Sequence, residues 1–274
     1  MIDFIINPFS GDQNGTKLKR ILITLENYLS ENKIEYKFHF TQRKNHAIEL
    51  TSKAISNGAT TIISVGGDGT LHEVINGFHS FDKCALGIIP CGTGNDFASA
   101  LGLPKDPLKA LRVILDGTPR YTDFMQMPTL RGINIIGMGI DVDVLKRYAE
   151  LKRKTKWGYT KTLIKTLLNF QYSTSTAEYN GKKEEYKSFI ACVANGFRYG
   201  GGIPISPIAD PFDNRLNFTA IKEMGKLKII KTFLKLKKGE ILSVPETIHE
   251  TTKEIKIYSN LDSKKDVDCC NENT

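Results

Sequence analysis

The sequence predicts an α/β domain over residues 1–125, a mainly antiparallel β domain over residues 126–262 and a polar tail over residues 263–274. Strand-like and helix-like segments alternate through the first region, whereas strand-like runs with few helical patterns between them fill most of the second. Alternation is typical of a parallel sheet with helices on both faces, and successive strands are typical of an antiparallel sheet.

Apolar periodicity defines the elements of the first region. Leucines and isoleucines recur at helical spacing through residues 17–29, and residues 36–41 alternate as a half-buried strand does. The predicted strands are 2–6, 36–41, 62–65 and 86–90, and the predicted helices are 17–29, 47–56, 71–78, 97–101 and 108–115. In the second region the predicted strands include 133–138, 189–195, 216–221 and 254–258.

Two glycine-rich turns, Gly66–Thr70 and Gly92–Asp96, each lie between a short apolar run and a helical pattern. Such a turn directs free backbone N–H groups and the positive end of a helix dipole toward an anion, most often phosphate. Each turn also carries a carboxylate, Asp68 or Asp96, which phosphate alone would not favour. A divalent cation between the two resolves this conflict, as in phosphoryl transfer from a magnesium nucleotide.

A purely structural interpretation of the same turns is available. Thr70 and Glu73 fit a capping box that starts a helix, and Asn95 or Asp96 fits an ordinary N-cap. Neither turn matches the P-loop or the dinucleotide fingerprint. The occurrence of both turns, each with its own aspartate, favours the phosphate interpretation.

Ligands of a parallel α/β sheet bind beyond the carboxyl ends of its strands. Four polar segments fall at such ends: Asn7–Gly11, Thr41 and the two glycine-rich turns. We therefore expect these segments to meet in one site.

The composition favours a cytoplasmic protein. Five cysteines show neither metal-ligand spacing nor a disulfide framework, and the chain contains no run of about 18 apolar residues. The apolar start of the chain includes Asp3 and lacks a basic leader, so it predicts a first strand rather than a signal peptide. The net charge is +8, but the lysines and arginines are not interleaved with stacking aromatic residues. This pattern argues against nucleic-acid binding and fits binding to an anionic membrane surface.

Two basic segments, 142–172 and 226–238, combine lysines with apolar residues at spacings that allow amphipathic helices. Each could rest on anionic headgroups or pack on the β domain with its lysines in solvent. Between them, Gly200–Gly202 allow either close backbone approach to a ligand or a mobile loop. The carboxylates of Asp210 and Asp213 suit Mg²⁺, although Asp-rich β-turns have the same spacing.

The motifs GGDGTLHEVING, residues 66–77, and PCGTGNDFA, residues 90–98, resemble signatures of the diacylglycerol kinase and sphingosine kinase superfamily, most closely its small bacterial lipid kinases. NAD kinases share the GGDG turn. The resemblance implies a Rossmann-like domain followed by a β-sandwich, and transfer of the γ-phosphate of ATP, with Mg²⁺, to a membrane lipid. Diacylglycerol is the expected acceptor, and the enzyme is expected to associate peripherally with the membrane. The resemblance also allows a homodimer.

The resemblance and the two turns together give the candidate site residues. The expected ATP contacts are Asn7, Ser10, Gly11, Thr41, Gly66, Gly67, Asp68, Gly69, Thr70, Glu73, Gly92, Thr93, Gly94 and Asn95. By resemblance, Asp68, Asp96 and Asp123 hold the catalytic Mg²⁺ and its waters, although the residues alone favour an exposed strand position for Asp123. Also by resemblance, Asp210, Asp213 and the backbone oxygen of Arg215 bind a structural Mg²⁺, with Asn214 replacing the usual glycine.

The C-terminal region departs from the family pattern. Family members have Asp-Gly-Glu here, whose aspartate is the expected general base, whereas this chain has Asp268-Cys269-Cys270. Asp268 is the positional candidate for that base. Two alternatives therefore stay open: an NAD-kinase-like enzyme acting on a soluble acceptor, and a nucleotide- or lipid-binding regulator without catalysis.

Overall fold

The computed structural model describes residues 1–11, 15–139, 172–259 and 267–273, and contacts divide the chain into two units. The first unit contains Met1–Thr122 with Gly200–Gly202 and the end of the chain. The second contains Asp123–Tyr199 and Ile203–Glu272. The division predicted from the sequence lies between residues 125 and 126.

Strands and helices alternate in the first unit as their apolar patterns require. Its elements are β1 (Ile2–Ile6), α1 (Thr16–Glu31), β2 (Tyr36–Phe40), α2 (His46–Ser56), β3 (Thr61–Gly66), α3 (Asp68–Asn76), β4 (Ala85–Pro90), α4 (Asp96–Ala100) and α5 (Pro107–Asp116). The four strands are parallel in the order β2-β1-β3-β4. Their carboxyl ends therefore share one edge of the sheet.

Both faces of this sheet are covered, which explains the near-continuous apolar strands. Side chains of Phe4 and Ile6 pack with leucines of α1 and with α5 on one face. Ile5 packs with α2 and α3 on the other face. Successive strand residues thus enter different cores.

The second unit is built mainly from antiparallel strands. Its elements are β5 (Asp123–Gln126), β6 (Arg131–Gly132), β7 (Ile135–Gly139), β8 (Ser173–Tyr179), β9 (Lys182–Ala194), β10 (Leu216–Lys222), α6 (Lys226–Lys237), a 3-10 turn (Ile241–Ser243), β11 (Thr247–Thr252), β12 (Glu254–Ser259) and β13 (Val267–Asn273). The strands follow the order β11-β10-β9-β8-β12-β13-β5-β6, and β7 pairs with β9. The predicted fold class, a parallel α/β unit followed by an antiparallel β unit, is confirmed.

Part of the polar tail predicted over residues 263–274 forms a strand. Residues Val267–Asn273 form β13, which pairs antiparallel with β12, and Ile257 lies opposite Val267 in the backbone register. Backbone groups of a neighbouring strand satisfy such a segment whatever its side chains are, so a polar composition alone did not reveal the strand.

Of the two basic segments, residues 142–171 lie outside the described part of the chain. The other segment forms α6, whose Ile229 and Leu236 are buried in the core of the second unit. On the same helix Ile230 and Leu234 are 46% and 57% exposed. Within the described ranges, no helix has the length and apolar character needed to cross a bilayer.

Candidate functional site

A cavity of about 530 Å³ lies at the carboxyl edge of the parallel sheet, and segments that follow all four strands line it. Ten of the predicted nucleotide-binding residues are in its wall: Asn7, Ser10, Gly11, Thr41, Gly67, Gly69, Thr70, Glu73, Gly92 and Thr93. Four others are not: Gly66, Asp68, Gly94 and Asn95. The volume lies within the range of small-ligand and cofactor sites.

The two glycine-rich turns contact each other through bare backbone. A Cβ atom added to Gly92 would lie 2.4 Å from the Cα of Gly67, and one added to Gly67 would lie 3.1 Å from the Cα of Gly92. Any larger residue at either position would force the turns apart. These glycines therefore allow close approach of two chain segments, a role that the sequence did not reveal.

The carboxylate of Asp68 joins the two turns. Its Oδ1 accepts hydrogen bonds from the backbone N–H groups of Asp96, at 2.8 Å, and Phe97, at 3.4 Å. Asp68 therefore caps α4, the short helix that follows the second turn. The first turn thus supplies an acceptor that holds the second turn in place.

The carboxylate of Asp96 is buried and faces the triple-glycine segment. Its Oδ2 accepts a hydrogen bond of 2.9 Å from the backbone N–H of Gly201. Gly200, Gly201 and Gly202 have φ angles of 62°, 85° and 109°, in the region that favours glycine. Asp96 thereby fixes the middle of this segment within the first unit.

Two asparagines close the turns around the cavity. Asn95 occupies the N-cap position of α4, but its side chain makes no cap bond and instead forms a reciprocal pair with the backbone N–H and oxygen of Gly92, at 2.8 and 2.9 Å. Asn7 donates from Nδ2 to Thr70 Oγ1 at 3.2 Å. The first strand end is thereby tied to α3.

Glu73 does not form the predicted capping box. Helix α3 begins at Asp68, so Thr70 already lies inside the helix and cannot be its N-cap. The Glu73 carboxylate instead accepts hydrogen bonds from the backbone N–H groups of Asn45, at 2.9 Å, and Ala47, at 3.1 Å. It therefore caps the start of α2, and the capping-box interpretation is wrong.

Asp123 is fully buried, so the expectation of an exposed strand residue is wrong. Its backbone N–H donates to the oxygen of Pro211 at 2.8 Å, and its Oδ2 accepts from the N–H of Asn214 at 2.5 Å. These partners lie on the Asp210–Arg215 loop, which covers the residue within the second unit. Contacts this distant in sequence give no local signal.

The Asp210–Arg215 loop has the donor set for a hard cation. Asp210 and Asp213 each accept a hydrogen bond from a backbone N–H two residues ahead, at 3.0 Å. Burial, aided by repulsion from Asp210 and Asp123, raises the pKa of Asp213. Asn214 has a φ of 57°, the left-handed conformation that asparagine tolerates.

Repelling carboxylates of this kind are what a divalent cation neutralises, so the residues fit Mg²⁺. Among the described residues, no group of three or more His, Cys, Asp and Glu side chains is arranged as a metal site. The predicted Mg²⁺ ligands are only two carboxylate side chains and a backbone oxygen, so Mg²⁺ binding by this loop stays a prediction.

Asp268 lies in β13, opposite Lys256 in the backbone register. Its assignment as general base stays a prediction.

Three residues of the cavity wall lie outside the predicted segments: Gln42, Arg43 and Lys44, which directly follow Thr41. Phe9 also lines the wall, within the predicted segment Asn7–Gly11. Their position after strand ends was the available signal. Polar residues in a loop give no other sequence signal for ligand binding, so only the tertiary structure shows that the residues after Thr41 line the cavity.

Comparison with known proteins identifies the family. Residues 2–127 match the family described as diacylglycerol kinase catalytic domain, and residues 134–269 match the YegS C-terminal NAD kinase beta sandwich-like domain. The chain is 30% identical over 261 residues to a diacylglycerol kinase of Bacillus subtilis (strain 168), covering 92% of this chain and 84% of that protein. The chain belongs to the diacylglycerol kinase family of bacterial lipid kinases. It is accordingly a phosphotransferase of the lipid-kinase class.

Two further relatives agree with this membership. A "Probable lipid kinase YegS-like" of Chromohalobacter salexigens is 30% identical over 205 residues, which cover 73% of this chain and 65% of that protein. The structure of a diacylglycerol kinase from Bacillus anthracis str. Sterne superposes with a TM-score of 0.76 at 24% identity, covering 99% of this chain and 93% of that one. The second likeness shows that the fold is shared.

Proposed function

We propose that this member of the diacylglycerol kinase family transfers the γ-phosphate of ATP to the hydroxyl of diacylglycerol, giving ADP and phosphatidic acid. The observation that supports this most directly is the cavity where both glycine-rich turns of a lipid kinase meet at the carboxyl edge of the parallel sheet. Backbone N–H groups of such turns, together with the N-terminus of α3, suit the phosphates of a nucleotide.

In this proposal each carboxylate has its own role in phosphoryl transfer. Asp68 and Asp96 would hold Mg²⁺, with Asp123 in its water network, and the ion would supply neutralisation of the phosphate charge. The Asp68 carboxylate also keeps the two turns in register through the α4 cap. The acceptor hydroxyl oxygen forms the new bond to the γ-phosphorus while the bond to the bridging oxygen of ADP breaks, and Asp268 would take the hydroxyl proton.

A bilayer surface is the proposed place of reaction, because diacylglycerol resides there. Helix α6 exposes Ile230 and Leu234 beside lysines, and the chain has a net charge of +8. An exposed apolar strip flanked by cations suits an anionic membrane interface.

The test is transfer of labelled γ-phosphate from Mg-ATP in mixed micelles that contain diacylglycerol, a sphingoid base, NAD or no acceptor. We expect transfer to diacylglycerol. Asp68→Asn keeps an oxygen for the α4 cap but loses the charge, so we expect at least a hundredfold loss of turnover with little change in thermal stability. Asp116→Asn, which removes an exposed carboxylate at the end of α5, should retain activity.

Each other outcome has its own meaning. Transfer to NAD alone would favour the NAD-kinase-like alternative. Binding of ATP without transfer would favour the regulator, and the double variant Cys269→Gly with Cys270→Glu, which restores Asp-Gly-Glu, would then show whether the tail is responsible. Full activity of Asp68→Asn would refute the proposed role of that carboxylate.

A further inference from the structure

The loop between β2 and α2 is fixed by a residue of another helix. Asn45, at the N-cap position of α2, has a φ of 63° and makes no side-chain cap bond. The free N–H groups of the first turn of a helix need acceptors. Both oxygens of Glu73 supply them, at 2.9 Å to Asn45 and 3.1 Å to Ala47, and the negative charge also suits the positive end of the α2 dipole.

The rest of the loop is braced on either side of Lys44. The backbone N–H of Thr41 donates to the oxygen of Ile6 at 2.8 Å, and that of Gln42 donates to His46 Nδ1 at 3.0 Å. Within the described residues, the Lys44 ammonium makes no hydrogen bond or ion pair. The loop is therefore held in place while its lysine remains available.

Charge inside the cavity makes this lysine significant. Arg43 and Lys44 both line the cavity, but the guanidinium of Arg43 donates to both oxygens of Glu49, at 2.7 and 2.6 Å. Its charge is therefore already compensated. Lys44 lines the same cavity as Gly67 and Gly92, and neither glycine-rich turn carries the lysine that a P-loop provides.

We infer that Lys44 contacts the nucleotide phosphates and that Glu73 is the positioning residue that presents it by fixing the β2–α2 loop. This inference rests on the proposed ATP site. Because Glu73 belongs to α3, which begins in the first glycine-rich turn, the phosphate-binding turn and the loop that carries the lysine are held as one assembly.

The first test compares binding of ATP, inorganic tripolyphosphate and adenosine by the native chain and by Lys44→Met, at low ionic strength. We expect about tenfold weaker binding of ATP and of tripolyphosphate, the effect of losing one charge-assisted contact, and unchanged binding of adenosine. Lys37→Met is the matched control, since Lys37 is an exposed lysine of β2 outside the cavity wall and should leave all three affinities unchanged.

The second test is a double-mutant cycle. We expect Glu73→Ala to weaken ATP binding about tenfold in the native background and less than twofold in the Lys44→Met background, because both substitutions remove the same contact. Glu73→Gln keeps one acceptor oxygen and should lie between Glu73→Ala and the native chain. Lys44→Met does not depend on the fold-sensitive Glu73 and can be interpreted alone.

The outcomes separate the two proposals. A native chain that binds no ATP would refute the proposed function. A native chain that binds ATP while Lys44→Met behaves like Lys37→Met would overturn only the inference about Lys44. An equal effect of Glu73→Ala in both backgrounds would show that Glu73 does not act through Lys44.

Discussion

Replacing Gly92 with alanine tests whether the contact between the two glycine-rich turns holds the first unit together. The new Cβ would lie 2.4 Å from the Cα of Gly67 and 2.9 Å from Oδ1 of Asn95. Ordinary contact begins near 3.4 Å, so the turns would have to separate by about 1 Å. The neighbour is backbone, which cannot move aside as the end of a flexible side chain can.

The expected cost follows from this geometry. Overpacking a close-packed site destabilises by about 1–3 kcal/mol. For a unit of this size, 1 kcal/mol shifts the melting temperature by about 4 °C, so Gly92→Ala should lower it by roughly 4–12 °C. Gly92 does not have a positive φ, so the loss would come from the clash rather than from backbone strain.

Thermal unfolding followed by circular dichroism measures this effect, and Gly69→Ala is the matched control. Gly69 belongs to the same motif, lies inside α3 and has open space where its Cβ would be. Alanine in a helix is favoured over glycine by up to about 1 kcal/mol, so this variant should melt at the same temperature as the native chain or higher. Equal melting temperatures for the two variants would refute the contact between the turns.

Three further predictions concern the Asp210–Arg215 loop, the buried cysteine thiols of the first unit and the buried asparagine of the second unit. The pKa of Asp213 is raised in the folded protein. The stability that protonated Asp213 contributes is therefore fully present below its pKa in the unfolded chain, and is lost as pH rises through its pKa in the folded chain. Asp213→Asn should therefore raise the melting temperature at pH 7 without Mg²⁺ and abolish the rise that Mg²⁺ produces in the native chain; an unchanged Mg²⁺ response would contradict the assignment. Burial raises the pKa of Cys84 and Cys91 to about 11, so about one thiol in a thousand is ionised at pH 8. Mass spectrometry should show both thiols unmodified by iodoacetamide until denaturant is added, and rapid labelling of the folded chain would argue against this burial. Asn195→Ala removes two buried hydrogen bonds to backbone oxygens, at 2.7 and 2.8 Å, and should cost about 2–4 kcal/mol in chemical denaturation. Asn32→Ala, at the exposed end of α1 with one such bond at 2.7 Å, should cost less, and equal losses would contradict the importance of burial.

Apolar periodicity was sufficient for the fold class and for most elements of the first unit. Patterns such as residues 17–29 are local, and local patterns depend only on which face of a helix or strand must be buried. The same kind of signal failed at β13, because its strand character depends on backbone pairing with β12 rather than on apolar side chains. It failed at Asp123 because the residues that bury this carboxylate lie about 90 positions away.

The sequence by itself determined that two glycine-rich turns with carboxylates follow neighbouring parallel strands, and strand direction alone requires such turns to share one edge of the sheet. Only the tertiary structure decided what these residues contact. Asp68 caps the helix of the other turn, and Glu73 caps α2 rather than its own helix. Hydrogen bonds form between groups that are close in space. A spacing of three residues suits a capping box, but it does not prevent Glu73 from accepting hydrogen bonds from the N–H groups of another helix. The partner of a polar side chain is therefore set by packing, whereas the face on which it lies is set by sequence.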